Sequence, residues 1–286
     1  MRICAQKRDT IIKEGVDLFT DYFQHIYEIF TNIHNPTDQT LAAQRLLLPM
    51  FHDFYPGLPD GASLQDFAVS MASDLHAVLE KSRRALLPYS NGCYVYYRAF
   101  LASVVATCGF DAVLEFLTQS HLDLMPQRQS LQAAQVIPYL LRKDHVRVTS
   151  TTIRSYLSAW LTILVDWEEY LRIPYGLLRM SQHKPTTWAD TGKADPMTRV
   201  KHLVTHPLLS QLAPKGADLV IIRNSLAHNT AEYNPNTGRV LFEDMGKSGA
   251  RRVEVSASEI RTTAITTAIV NWWICQSPLI ALDLMF

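Results

Sequence analysis

The sequence predicts an all-α protein with a small β excursion ahead of its last long helix. Three observations carry this. Apolar residues recur at spacings of three and four along most of the 286 residues. The prolines fall between those runs. The period changes to an alternation of two only after residue 230.

Taken in order, Ile11 to Asn32 carries a stripe of Ile12, Val16, Phe19, Phe23, Ile26 and Phe30, the face of one helix. Thr40 to Phe54 is a second run, closed by the Pro/Gly-rich loop from Tyr55 to Gly61. Ser63 and Asp66 have capping-box spacing and open a helix from Leu64 to Leu86. Pro88 and Asn91-Gly92 break the chain, and Val95 to Thr118 and Gln127 to Arg142 follow as helices. The polar, β-branched stretch Lys143 to Thr152 reads as a link. It divides an additional helical region, 1–150, from a second region, 151–286.

In the second region, Thr152 to Arg172 is an amphipathic helix rich in Leu and Trp. Asp195-Pro196 supplies an N-cap and a proline at the first helical position. The helix they open is expected to run from Met197 to Leu212 with a kink at Pro207. Lys215 to Ala227 is the next helix. Thr230 to Tyr233 and Arg239 to Asp244 then read as strands around the turn Asn234 to Gly238, with Arg252 to Val255 as a third strand. Ser256 and Glu259 form a capping box for the helix Glu259 to Cys275, whose apolar set is Ile260, Ala264, Ile265, Ala268, Ile269 and Trp272.

Composition narrows the function classes. The chain is 48% hydrophobic and 19% charged, with 27 Lys+Arg balancing 27 Asp+Glu. Zero net charge argues against a general electrostatic binder of nucleic acid, so any RNA contact should be local and short. Cys4, Cys93, Cys108 and Cys275 lie far apart and form no paired-cysteine motif, so they read as small buried hydrophobes. The first nine residues have no apolar core for a signal peptide. The two most apolar stretches are interrupted, Ala99–Leu117 by Asp111 and Glu115, and Ala264–Leu284 by Asn271, Gln276, Pro278 and Asp283. Neither reads as a membrane span, and a cytoplasmic location is expected.

The most informative segment runs from Ile221 to Asn229. It sets Arg223, Asn224 and His228 at the end of an apolar helix, with the small spacer Ser225-Leu226-Ala227 between them. Arg offers a planar fork suited to phosphate. His trades protons near neutral pH. Leu219, Ile222 and Leu226 share one face and should be buried. Five residues from Arg223 to His228 amount to about 140° around a helix, so the pair would diverge on an unbroken one. A shared site therefore needs the helix to end near Ala227, or a second subunit to supply the partner residue. The ordinary alternative has both cations capping the last carbonyls of the helix.

This segment resembles the R-x4–6-H signature of the HEPN superfamily, and the resemblance covers roughly residues 150–286. It implies a HEPN-like helical bundle in the C-terminal half, with the signature near the junction of its last two core helices. It implies a metal-independent endoribonuclease of the toxin or antiviral-defence type. Catalytic roles fall on three residues: His228 as general base or acid, Arg223 on the scissile phosphate, and Asn224 orienting the pair or bonding the phosphate. The nucleophile is the RNA's own 2′-hydroxyl, so DNA is not a substrate. No cofactor and no metal are implied. The resemblance further implies a homodimer with two motifs facing one cleft, and an antitoxin or sensor partner is compatible with it. The apolar surplus at Trp272, Trp273 and Ile274 is expected to offer surface for that dimer. The alternative is a non-catalytic HEPN module that binds nucleotides or a protein partner.

Several other groups have ordinary readings beside functional ones. Asp166, Glu168 and Glu169 form a solvated face or, as in some HEPN proteins, contact the motif from a neighbouring helix. His202 and His206 have i, i+4 spacing but no third ligand nearby, so surface or core roles are the default. Arg142, Lys143, His145 and Arg147, and likewise Arg251 and Arg252, are either solvated or RNA-contacting. Tyr94, Tyr96, Tyr97 and Phe100 read as core packing rather than as a base-stacking platform.

Overall fold

The computed structural model describes residues 64–90, 92–124, 150–213, 215–246 and 249–285. The helices expected at Ile11–Asn32, Thr40–Phe54 and Gln127–Arg142 lie outside these residues, as does the basic group Arg142, Lys143, His145 and Arg147. The chain divides into two units, Met1–Ser73 and Asp74–Phe286. Apart from residues 64–73, every described element belongs to the second unit.

Helix α1 is Leu64–Ser90, α2 Cys93–Cys108 and α3 Phe110–Leu124. The single helix expected from Val95 to Thr118 is thus two. Gly109 adopts φ +83°, a region that disfavours residues with a Cβ, and turns the chain between them. Helix α4 is Ser150–Tyr170 and α5 is Arg172–Ser181. Pro174 explains the restart: in a continuous helix it could not bond the Tyr170 carbonyl, but in the first turn of a new helix no such bond is required. The short α6, Trp188–Gly192, is held by a capping box of Thr187 and Asp190.

Asp195 caps α7, Pro196–Val204, by accepting from the Thr198 N–H. The expected helix to Leu212 stops at Val204 instead of kinking. The residue before a proline disfavours helical backbone, so Pro207 ends the helix, and only a 3-10 turn at Ser210–Leu212 follows. Helix α8 is Gly216–Ala227. Strands β1 Glu232–Asn234, β2 Arg239–Gly246 and β3 Gly249–Ser256 form an antiparallel sheet in that order. Ser256 and Glu259 make the expected capping box for α9, Ala257–Cys275, and α10 is Ser277–Asp283. Among the described residues the protein is therefore mostly helical, with one small three-stranded sheet before its last helices.

The core is built on α4 and α9, which pack along their lengths. Trp160, Trp167, Tyr170 and Trp273 are enclosed, and the Asn271 side chain donates to the Ile163 carbonyl at 2.9 Å across the helix pair. Each such large apolar side chain contributes about 1.5–3 kcal/mol by leaving water. Tyr94, Tyr97 and Phe100 are buried as core residues, while Tyr96 is exposed. Trp273 and Ile274 are both at 0% exposure and Trp272 is half-buried. The expected dimer surface at these residues is corrected accordingly: α9 spends its apolar surplus inside its own subunit.

Residues assigned from sequence to the N-terminal region join this same body. Helix α2 packs on α5 and α10, and α3 packs on α5, where Phe116 lies against Gly176. The boundary expected near residue 150 falls inside the unit that begins at Asp74. Among the described residues, no single helix is long and apolar enough to cross a membrane; α9 and α10, apolar as a pair, meet at a bend of 56°.

Candidate functional site around Arg223

Three elements converge on the end of α8. Its apolar face, Leu219, Ile222 and Leu226, is buried as the spacing predicts, against α4 and the sheet. The sheet is held close from both directions. Phe242 of β2 meets the Trp160 ring edge-on at 5.9 Å. Ser225, fully buried in the motif's spacer, accepts from the Glu243 backbone N–H at 3.1 Å. Thr230 bridges the same region, with its hydroxyl donating toward Ser225 and the Glu243 carbonyl. The helix end and β2 are thereby stitched together, which decides which strand residue faces the motif.

Arg223 does not cap the helix. Its Nε lies 2.9 Å from Glu168 Oε2, on α4. The Nε–H is not aligned on that oxygen, so the contact is close charge pairing rather than a formed hydrogen bond. Its Nη1 donates to Asn224 Oδ1 at 3.0 Å. Asn224 Nδ2 in turn donates to Asp244 Oδ2 at 3.3 Å, and Asp244 also accepts from Arg251 Nη2 across the strand pair. A continuous polar network thus runs from Glu168 through Arg223, Asn224 and Asp244 to Arg251.

The buried members are the anions. Side-chain exposure is 5% for Glu168 and 9% for Asp244, against 32% for Arg223 and 36% for Arg251. Burial pushes the Glu168 carboxyl up to about 7, against the pull of Arg223 and Arg199. Arg199 donates from Nη1 to the Glu168 backbone carbonyl at 2.7 Å, fixing this end of α4.

The three acids of α4 separate. Glu168 meets Arg223. Glu169 pairs with Arg172 at 3.0 Å. Asp166 is buried, its Oδ2 has no hydrogen-bond partner among the described residues, and desolvation pushes its carboxyl up to about 7.

No protein-family model, curated protein or solved structure matches this chain.

His228 stands apart from the network. It is the C-cap of α8, with its backbone N–H on the Asn224 carbonyl at 3.0 Å, and its side chain is exposed. Asn229 follows at φ +55°, a left-handed conformation that asparagine tolerates, so the helix ends where a shared site requires. No hydrogen bond among the described residues joins the His228 ring to Arg223 or Asn224. The structure therefore brings Arg223 and Asn224 together and leaves His228 at the adjoining helix end.

Sequence reasoning misses Asp244, a member of this network, and Ser225, which clamps the helix end to β2. The i, i+4 pair His202 and His206 has aromatic partners. His202 lies 5.7 Å from the Tyr175 ring and His206 5.3 Å from the Phe100 ring, centre to centre. Burial pushes the Cys275 thiol up to about 12, which leaves it inert as a nucleophile.

Proposed function

We propose that this protein is a HEPN-type endoribonuclease that cleaves RNA without a metal, acting on cytoplasmic RNA as a toxin or defence effector. The observation that carries this is Arg223. Its guanidinium is set by a buried carboxylate from a second helix, Glu168, yet remains one-third exposed near the end of the helix whose C-cap is the exposed His228. An arginine kept only for packing would not need a buried acid to aim it. An arginine that receives a phosphate would, because orientation before binding lowers the cost of the reaction.

In this mechanism Arg223 binds the scissile phosphate and stabilises its added negative charge. Asn224 holds the guanidinium at Nη1, while Glu168 lies at Nε. The RNA 2′-hydroxyl attacks phosphorus, the bond to the 5′-oxygen breaks, and the proton passes from the one oxygen to the other. His228 takes or returns that proton. Because His228 makes no hydrogen bond to its own Arg223, the reading includes a homodimer, in which each cleft receives both motifs. An antitoxin or sensor partner would act by covering this helix end.

The test is cleavage of a single-stranded RNA by the purified full chain in EDTA. Wild type should cut RNA and spare DNA of the same sequence, and His228→Ala should lose the activity. Cleavage that appears only on adding Mg2+ or Mn2+ would defeat the metal-free mechanism. Inactivity of wild type together with unimpaired RNA binding would favour the non-catalytic module.

A further inference from the structure

The adjacent arginines of β3 are not equivalent. Arg251 pairs with Asp244 and Arg252 with Glu243, and successive residues of a strand face opposite sides. Val240, Phe242 and Asp244 are the buried residues of β2, so Arg251 shares the face that covers α8. Arg252 and Glu243 lie on the outer face.

The two ion pairs differ in kind. Glu243–Arg252, at 2.9 Å, is an ordinary exposed cross-strand pair, with Arg252 at 64% exposure. In Asp244–Arg251 the anion is buried and already bonded to the motif's Asn224. Only the cation reaches solvent. The Glu168–Arg223 pair has this same arrangement. Two guanidiniums joined through Asn224 and Asp244 therefore look outward, with their counter-ions behind them. A guanidinium has five N–H donors; Arg251 commits Nη2 to Asp244, and its Nε is enclosed with no hydrogen-bond partner among the described residues, which leaves the Nη1 donors for a ligand.

We propose that Arg251 is a second phosphate-binding residue of this site, which takes a backbone phosphate neighbouring the one on Arg223, with Asp244 as the residue that positions it. This rests on the ribonuclease reading of Arg223 and extends it. The ligand is a single-stranded RNA engaged through at least two phosphates rather than a mononucleotide. A neutral protein can bind such a strand because the charge that matters is confined to one helix end and one strand.

The test uses a fluorescent single-stranded RNA oligonucleotide and the full chain carrying His228→Ala, so that the probe stays intact. Affinity is measured by anisotropy over a series of salt concentrations for added Arg223→Gln, Arg251→Gln or Arg252→Gln. Loss of one phosphate contact should lower the slope of log affinity against log salt by about 0.7. Arg251→Gln should show that drop with a loss of affinity of about fivefold or more at low salt, and Arg252→Gln should change neither. Arg251→Lys, which restores the charge, should restore the slope. If Arg251→Gln matches Arg252→Gln while Arg223→Gln weakens binding, the second phosphate site is overturned and the ribonuclease reading stands. A lysine variant that keeps the glutamine variant's slope overturns it equally, because the loss would then come from altered folding. If the RNA does not bind, or if Arg223→Gln binds it as well as the parent, the ribonuclease reading fails and this site with it.

Discussion

Replacing Glu168 by glutamine should stabilise the protein at pH 8 while impairing RNA cleavage. The carboxyl is almost fully buried, and two arginines near it are outweighed by desolvation, so its affinity for a proton rises from the ordinary 4.5 to about 7. Holding it ionised above pH 7 therefore works against folding. At about 1.4 kcal/mol per pH unit, the difference amounts to about 3.5 kcal/mol. Glutamine keeps the shape and is always neutral. The arginine it leaves is one-third exposed and can be solvated.

The pH window is set by the sign of the shift. Between 4.5 and 7 the folded protein binds more protons at Glu168 than the unfolded chain, so its stability falls as pH rises through that window. Glu168→Gln should melt about 7–14 °C above wild type at pH 8, on the scale of about 2–4 °C per kcal/mol for a unit of this size. The two should converge near pH 4.5. Thermal melts of both proteins at the two pH values give the comparison. A lower melting temperature for the variant at pH 8 would mean that attraction to Arg223 exceeds the desolvation cost, and the account of this buried acid would be wrong. The activity arm is separate: cleavage should drop by about tenfold, because a neutral amide aims the guanidinium less strictly. A variant more stable and equally active would show that Glu168 does not position Arg223 for chemistry.

Arg223→Lys should be nearly as inactive as Arg223→Ala, because lysine keeps the charge but not the planar fork. Near-full activity in a cleavage assay would reduce the residue to a point charge. Gly176→Ala should lower stability by about 1–3 kcal/mol, since the added Cβ would lie 2.2 Å from Phe116 Cζ and 2.8 Å from Thr191 Cγ2, both in tightly packed surroundings; an unchanged melting temperature would refute this packing. Mixtures of active and His228→Ala subunits should lose far more than half the wild-type rate if two motifs share a cleft, whereas activity proportional to the active fraction would leave each His228 working alone.

The helices legible in the sequence are those whose apolar stripe and cap agree. Asp195-Pro196 and Ser256 with Glu259 start α7 and α9 as the residues predict. The errors fall where one backbone residue outweighs a continuous apolar pattern. Gly109 divides one run into α2 and α3, and Pro207 ends α7 at Val204, short of the expected Leu212. Local polarity, the ground for a boundary at 150, carries no information about long-range packing such as that of α2 and α3 on α5 and α10 within the unit that begins at Asp74, and so cannot report it either way. Trp273 and Ile274 read as surplus for the same reason: periodicity identifies an apolar face but not the element that covers it.

The site shows the same division more sharply. Arg223, Asn224 and His228 can be picked out as a local motif, but the acids that act on them cannot. Asp166, Glu168 and Glu169 have the same chemistry within four residues, and only the packing of α4 on α8 makes Glu168 the partner of Arg223. Likewise Glu243 and Asp244 are neighbours on a strand, and a slip of one residue in register would exchange their faces. Ser225 and Thr230 fix that register by bonding the backbone of Glu243, which turns the Glu243 side chain outward and Asp244 toward Asn224. The spacer between arginine and histidine is thus small for a positive reason. Its serine hydroxyl is the clamp that selects which strand acid, and through it which of two adjacent arginines, belongs to the site.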